Sequence, residues 1–118
     1  MRILLVDDES EFVATLAERM AFRNMEVDYA TTGAEALRLV GTCSYDLAVL
    51  DMKMPGTSGL ELQALLKERC PAMKFIFLPG HGSESDYLSG SSEASSYLVK
   101  PVNIDILISR IREALEKR

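Results

Sequence analysis

Short runs of uninterrupted apolar residues, each stopped by a polar or turn residue, constrain this chain more than any other feature. Ile3-Leu4-Leu5-Val6 stops at Asp7-Asp8, and Leu47-Ala48-Val49-Leu50 stops at Asp51. Phe75-Ile76-Phe77-Leu78 stops at Pro79-Gly80, and Tyr97-Leu98-Val99 stops at Lys100-Pro101. Val27 to Ala30 is a further strand candidate. A run with no polar alternation reads as a strand buried on both faces. Such strands must lie between two layers of helix.

The segments between the runs have helical period. Phe12, Val13, Leu16, Ala17 and Met20 recur on one helical face. Thr32 with Glu35 forms a capping-box pattern, Ala36, Leu37 and Val40 continue that helix, and Gly41 ends it. Ser58 with Glu61 is a second capping box, leading into Leu62, Leu65 and Leu66. Asn103 caps a last helix with an apolar stripe of Ile104, Leu107, Ile108, Ile111 and Leu115. The order is βα repeated five times, which predicts an α/β fold: a doubly wound parallel sheet with right-handed crossovers and helices on both faces. One helical segment fits poorly. Between Ser83 and Ser96 lie Ser85, Ser89, Gly90, Ser91, Ser92 and Ser95, and the apolar residues are Tyr87, Leu88 and Ala94. Serine competes for the backbone and glycine raises its entropy cost, so a short or frayed helix is expected there.

The 118 residues, 47% hydrophobic and 26% charged, suit one folded domain spanning 1–118. The net charge of -5 gives no electrostatic footprint for nucleic acid or anionic membranes. No apolar run approaches the ~20 residues needed to span a bilayer. Cys43 and Cys70 form no CxxC pair and read as isolated thiols of a reducing cytoplasm.

In a doubly wound sheet the ligand site lies at the carboxyl ends of the strands. That rule sends Asp7, Asp8, Asp51, the Pro79-Gly80-His81-Gly82 loop and Lys100 to one edge. Three carboxylates in one cleft repel one another and need a cation. Hard oxygen ligands select Mg²⁺ or Ca²⁺, and few carboxylates with room for water favour Mg²⁺. With the Lys100 ammonium nearby, a free carboxylate beside a metal suits phosphoryl transfer, the carboxylate acting as nucleophile. Taken singly, each acid would be an ordinary cap or turn residue; the conjunction at three strand ends carries the signal.

The chain resembles the receiver domain of response regulators along its whole length. The matching pieces are Ile3-Leu4-Leu5-Val6-Asp7-Asp8-Glu9, Asp51-Met52-Lys53-Met54-Pro55-Gly56 with Gly59, and Tyr97-Leu98-Val99-Lys100-Pro101. Gly80-His81-Gly82-Ser83-Glu84 also resembles receivers that precede AAA+ transcriptional activators. The resemblance implies a CheY-like (flavodoxin-like) five-stranded sheet of order 2-1-3-4-5. It implies that Asp51 accepts the phosphoryl group and that Asp8, Asp51 and the Lys53 backbone carbonyl hold Mg²⁺, with Asp7 acting through water. Lys100 would pair with the phosphoryl oxygens, Tyr97 would report the active state, and Pro101 would follow a cis bond. The donor would be a phosphohistidine of a sensor histidine kinase. The resemblance also allows an effector domain C-terminal to this segment and a homodimer. Such a domain is a switch, not a turnover enzyme.

One position departs from the family. Pro79 stands where Thr or Ser is usual, so a hydroxyl and an N–H are both missing. Acceptor chemistry needs neither, but coupling to the output face does. His81 reads as an exposed loop residue. Two rivals share these residues: a degenerate receiver that works as a phosphorylation-independent interaction module, and a Mg²⁺-dependent phosphatase with an aspartate nucleophile. The intact acids and Lys100 count against the first. Against the second, Lys53 stands two residues after Asp51 where a second catalytic acid is expected.

Overall fold

The computed structural model describes residues 1–52, 54, 56–78 and 103–116, and the backbone of 96–97. Elements alternate along them: β1 (Arg2–Val6), α1 (Ser10–Ala21), β2 (Glu26–Ala30), α2 (Gly33–Val40), β3 (Leu47–Asp51), α3 (Gly59–Arg69), β4 (Lys74–Leu78), β5 (Ser96–Tyr97) and α4 (Ile104–Glu116). The strands pair in parallel in the order β2-β1-β3-β4, and the two residues of β5 join β4 through Ile76↔Ser96 and Phe77↔Tyr97. Leu98, Val99 and residues 83–95 of the segment expected to form a frayed helix lie outside the described residues, and Ser96 at its end belongs to β5.

The apolar runs divide their side chains between two cores, because successive Cβ atoms of a strand point to opposite faces. Ile3, Leu5, Leu47, Val49, Ile76 and Leu78 pack with Val13, Leu16 and Met20 of α1 and Leu107, Ile108 and Ile111 of α4. Leu4, Val6, Ala48, Leu50, Phe75 and Phe77 pack with Ala36 of α2 and Leu62 and Leu66 of α3. The absence of polar alternation in the runs is thereby explained: both faces of the central strands are dry. Edge strand β2 contributes only Ala30 as a fully buried residue, which is why its run is weaker.

The helix ends refine three expectations. The Ser58–Glu61 capping box is complete: the Ser58 hydroxyl accepts from the Glu61 N–H, and the Glu61 carboxylate accepts from the Ser58 N–H, each at 3.2 Å. The Thr32–Glu35 box is half formed. Thr32 Oγ1 accepts from the Glu35 N–H at 3.1 Å, but Glu35 Oε1 takes the N–H of Thr31, at 3.0 Å. Gly41 ends α2 without a left-handed cap; its φ is -75°. Asn103 caps as expected, its Oδ1 accepting from the N–H groups of Asp105 and Ile106.

Candidate functional site

Parallel pairing of β1 with β3 decides where the acids go. Val6 is the register partner of Leu50, so Asp7 and Asp51, one residue further along each chain, emerge side by side at the carboxyl edge of the sheet. Asp51 is itself the partner of Leu78, the last residue of β4. Pro79 therefore follows directly on the residue beside the central acid.

Local hydrogen bonds fix the β1 end. The Asp7 N–H donates to the Ala30 carbonyl at 3.1 Å, which continues the β1–β2 ladder by one step. Asp7 Oδ1 accepts from the Glu9 N–H at 2.9 Å. This turn, in which an aspartate holds the backbone two residues on, reverses the chain into α1. It buries Asp7, which is 2% exposed, and leaves Asp8 at the surface. Asp51 is 4% exposed. One carboxylate oxygen from each of Asp7, Asp8 and Asp51 lies within 4.8 Å of the other two.

Such crowding of like charges raises the energy of the ionised cluster unless a cation is present. The donors are all carboxylate oxygens, which fits a hard divalent ion and not a thiophilic metal. One of the three faces solvent, so an ion held here keeps room for water and for an incoming oxygen. The residues present therefore fit Mg²⁺.

The comparisons agree with this geometry. The profile of the family described as "Response regulator receiver domain" matches residues 3–112. The chain belongs to that family. Among its relatives are the transcriptional regulatory protein TcrA of Mycobacterium tuberculosis, 35% identical over 119 residues, and the transcriptional regulatory protein GlrR of Escherichia coli, 34% identical over 116. The matches cover 100% and 98% of this chain but only 47% and 26% of those proteins. This receiver sequence thus spans half or less of the length of these relatives. Among solved structures, a response regulator receiver domain from Clostridium thermocellum superposes with a TM-score of 0.89 at 34% identity, covering 98% of this chain and 94% of that one. The response regulator TrrA of Thermotoga maritima, solved in complex with Mg²⁺-BeF, superposes with a TM-score of 0.83 at 36% identity, covering 96% and 97%. The chain is a receiver domain of two-component phosphorelay signalling.

Of the site residues expected from the sequence, the receiver fold brings Asp7, Asp8 and Asp51 together. Tyr97 is placed by its backbone alone, beside Phe77 at the end of β4. Lys53, Pro79, Gly80, Lys100 and Pro101 lie outside the described residues. Sequence reasoning passed over the physical role of Gly59, whose N–H donates to the Met52 carbonyl at 2.8 Å and whose Cα lies against the Asp51–Met52 peptide. Two signals were available: a glycine at the first helical position, directly after a serine cap, and its place in the stretch from Asp51 that resembles receivers.

Proposed function

We propose that Asp51 is the phospho-acceptor of this receiver and that Asp8, Asp51 and the Lys53 carbonyl hold Mg²⁺, with Asp7 acting through a water. The observation that carries the reading is the convergence of the three carboxylates within 4.8 Å at the carboxyl edge of the sheet. An Asp51 carboxylate oxygen attacks phosphorus, a P–O bond forms, and the P–N bond of a sensor kinase phosphohistidine breaks with the imidazole leaving. Mg²⁺ supplies charge neutralisation for the transferring oxygens. Burial of Asp51 keeps its nucleophilic oxygen from being fully hydrated. The Asp7–Glu9 turn holds Asp7 in place, so that the Asp8 carboxylate is presented to the cleft mouth. Lys100 is assigned to the phosphoryl oxygens and Tyr97 to the output switch.

The domain, taken as 1–118 with a five-stranded 2-1-3-4-5 sheet, acts in the cytoplasm as a switch and not as a turnover enzyme. Its partners are a sensor histidine kinase and a C-terminal effector, of the AAA+ activator type that Gly80-His81-Gly82-Ser83-Glu84 resembles; a second receiver copy completes the set. The domain itself contacts neither nucleic acid nor membrane. Among the described residues no helix is long and apolar enough to cross a bilayer. Pro79 offers neither hydroxyl nor N–H to the phosphoryl group, so coupling to the output surface is weaker than in receivers with Thr or Ser there.

Acetyl phosphate with Mg²⁺ should add one phosphoryl mass to the chain, and Asp51→Asn should abolish the adduct. An adduct that survives Asp51→Asn, or none in the wild type, rejects the assignment. Beryllofluoride titration followed by amide NMR reads the coupling: shifts should stay near Asp7, Asp8 and Asp51, and Pro79→Thr should spread them. Shifts already large throughout residues 79–100 of the wild type reject weakened coupling.

A further inference from the structure

Gly59 is the first residue of α3 and lies flush against the backbone of the acceptor. A Cβ at this position would overlap the Asp51 carbonyl oxygen and come within 2.9 Å of Met52 Cα and 3.0 Å of the Asp51 carbonyl carbon. These are backbone atoms, which cannot swing aside as the tip of a flexible side chain can. Gly59 is helical, whereas Gly56 has a φ of 85°; glycine at 59 therefore answers a demand for space and not for a left-handed backbone. The N–H of Gly59 donates to the Met52 carbonyl at 2.8 Å, so the same residue both touches and ties the peptide that follows Asp51.

Neither side of this contact has room to retreat. All five residues of β3 are buried. On the helix, Leu62 and Leu66 are 0% exposed in the core and hold α3 against the sheet. Any added atom at 59 must be absorbed where the two elements meet, at the Asp51–Met52 peptide.

We infer that Gly59 is a positioning residue for the phospho-acceptor: its missing side chain lets α3 close on the Asp51–Met52 peptide, its N–H ties that peptide, and the two together aim the Asp51 carboxylate at Asp7 and Asp8. The inference rests on the reading of Asp51 as acceptor and metal ligand. A second contact braces the same connection, since a Cβ on Gly33 at the start of α2 would lie 3.2 Å from Thr57 Cβ. That spacing is tight but faces a side chain, so the Gly33 contact yields where the Gly59 contact does not.

The test compares Mg²⁺ and beryllofluoride affinity, read by amide NMR, in variants of the whole chain under conditions where circular dichroism shows each folded. Gly59→Ala should weaken Mg²⁺ binding and slow adduct formation by acetyl phosphate, each by about ten-fold or more, because an ångström-scale misplacement is costly in a pre-aimed site. Ser58→Ala weakens the same helix end without adding atoms near Asp51. It should lower the denaturation midpoint yet keep Mg²⁺ affinity within about two-fold of wild type. If Gly59→Ala does not fold, replacement of Gly59 by glycolic acid removes the N–H donor and adds no bulk; that ester should lose Mg²⁺ affinity several-fold. Wild-type affinity in folded Gly59→Ala, or in the ester, overturns the inference. A wild-type chain that takes up neither Mg²⁺ nor beryllofluoride overturns instead the reading of Asp51 beneath it.

Discussion

Tyr45 and Asp28, far from the acidic cleft, show how single residues set the pH response. Tyr45 is 6% exposed, and its hydroxyl donates to Asp28 Oδ2 at 2.7 Å. Burial first, and then this hydrogen bond to a carboxylate, push the phenol well above its ordinary value. In the unfolded chain the phenol ionises near pH ~10. Below that pH both states keep the proton and the contribution of Tyr45 to stability is complete. Above it the unfolded state loses the proton while the folded state retains it, so stability falls as pH rises. Urea denaturation at about pH 9 and about pH 11 should show this loss, and Tyr45→Phe should flatten the part that belongs to Tyr45. The same variant should cost about 1 kcal/mol at neutral pH through the lost hydrogen bond. An alkaline decline identical in Tyr45→Phe and wild type would assign it to other groups.

The elements owe their ends to different devices, and these differ in strength. The box of Ser58 and Glu61 satisfies two backbone donors reciprocally, whereas Glu35 spends its carboxylate one residue earlier, on Thr31. Both caps are worth on the order of 1 kcal/mol in a helix that docks on a core. Ser58→Ala and Thr32→Ala should each lower the urea midpoint by about that much, with the denaturant slope unchanged because the same surface is exposed. Glu61→Ala should cost more than Glu35→Ala if reciprocity within one box matters. Equal losses would show that any carboxylate in the first turn serves, through the helix dipole alone.

At the scale of the whole molecule, folding brings together charges that oppose it. The net charge is -5, and three carboxylates meet at one edge. Magnesium that binds only the folded state should stabilise it by about 1.4 kcal/mol at ten times its dissociation constant. In thermal denaturation Mg²⁺ should therefore raise the wild-type midpoint. Asp8→Asn should start from a higher metal-free midpoint, because one repelling charge is gone, and should lose the increment from Mg²⁺. An unmoved wild-type midpoint at millimolar Mg²⁺ would remove the metal from this cluster.

Much of this protein was legible in its sequence, because the signals concerned are local. Uninterrupted apolar runs and helical periodicity depend on near neighbours, and they marked β1, β3 and β4, the buried stripes of α1 and α4, and the serine cap of α3. Expected convergence of Asp7, Asp8 and Asp51 came from a rule about parallel sheets; the register of Val6 with Leu50 realises it across 43 intervening positions. Only the tertiary structure decided the rest. Burial of Asp7 against exposure of Asp8, the shift of Glu35 from Thr32 to Thr31, and the ban on a side chain at Gly59 all depend on backbone placed by distant packing. Composition and spacing describe which residues are available to meet, but the closeness of an atom to a neighbour far along the chain is settled by how two layers of helix press a sheet between them.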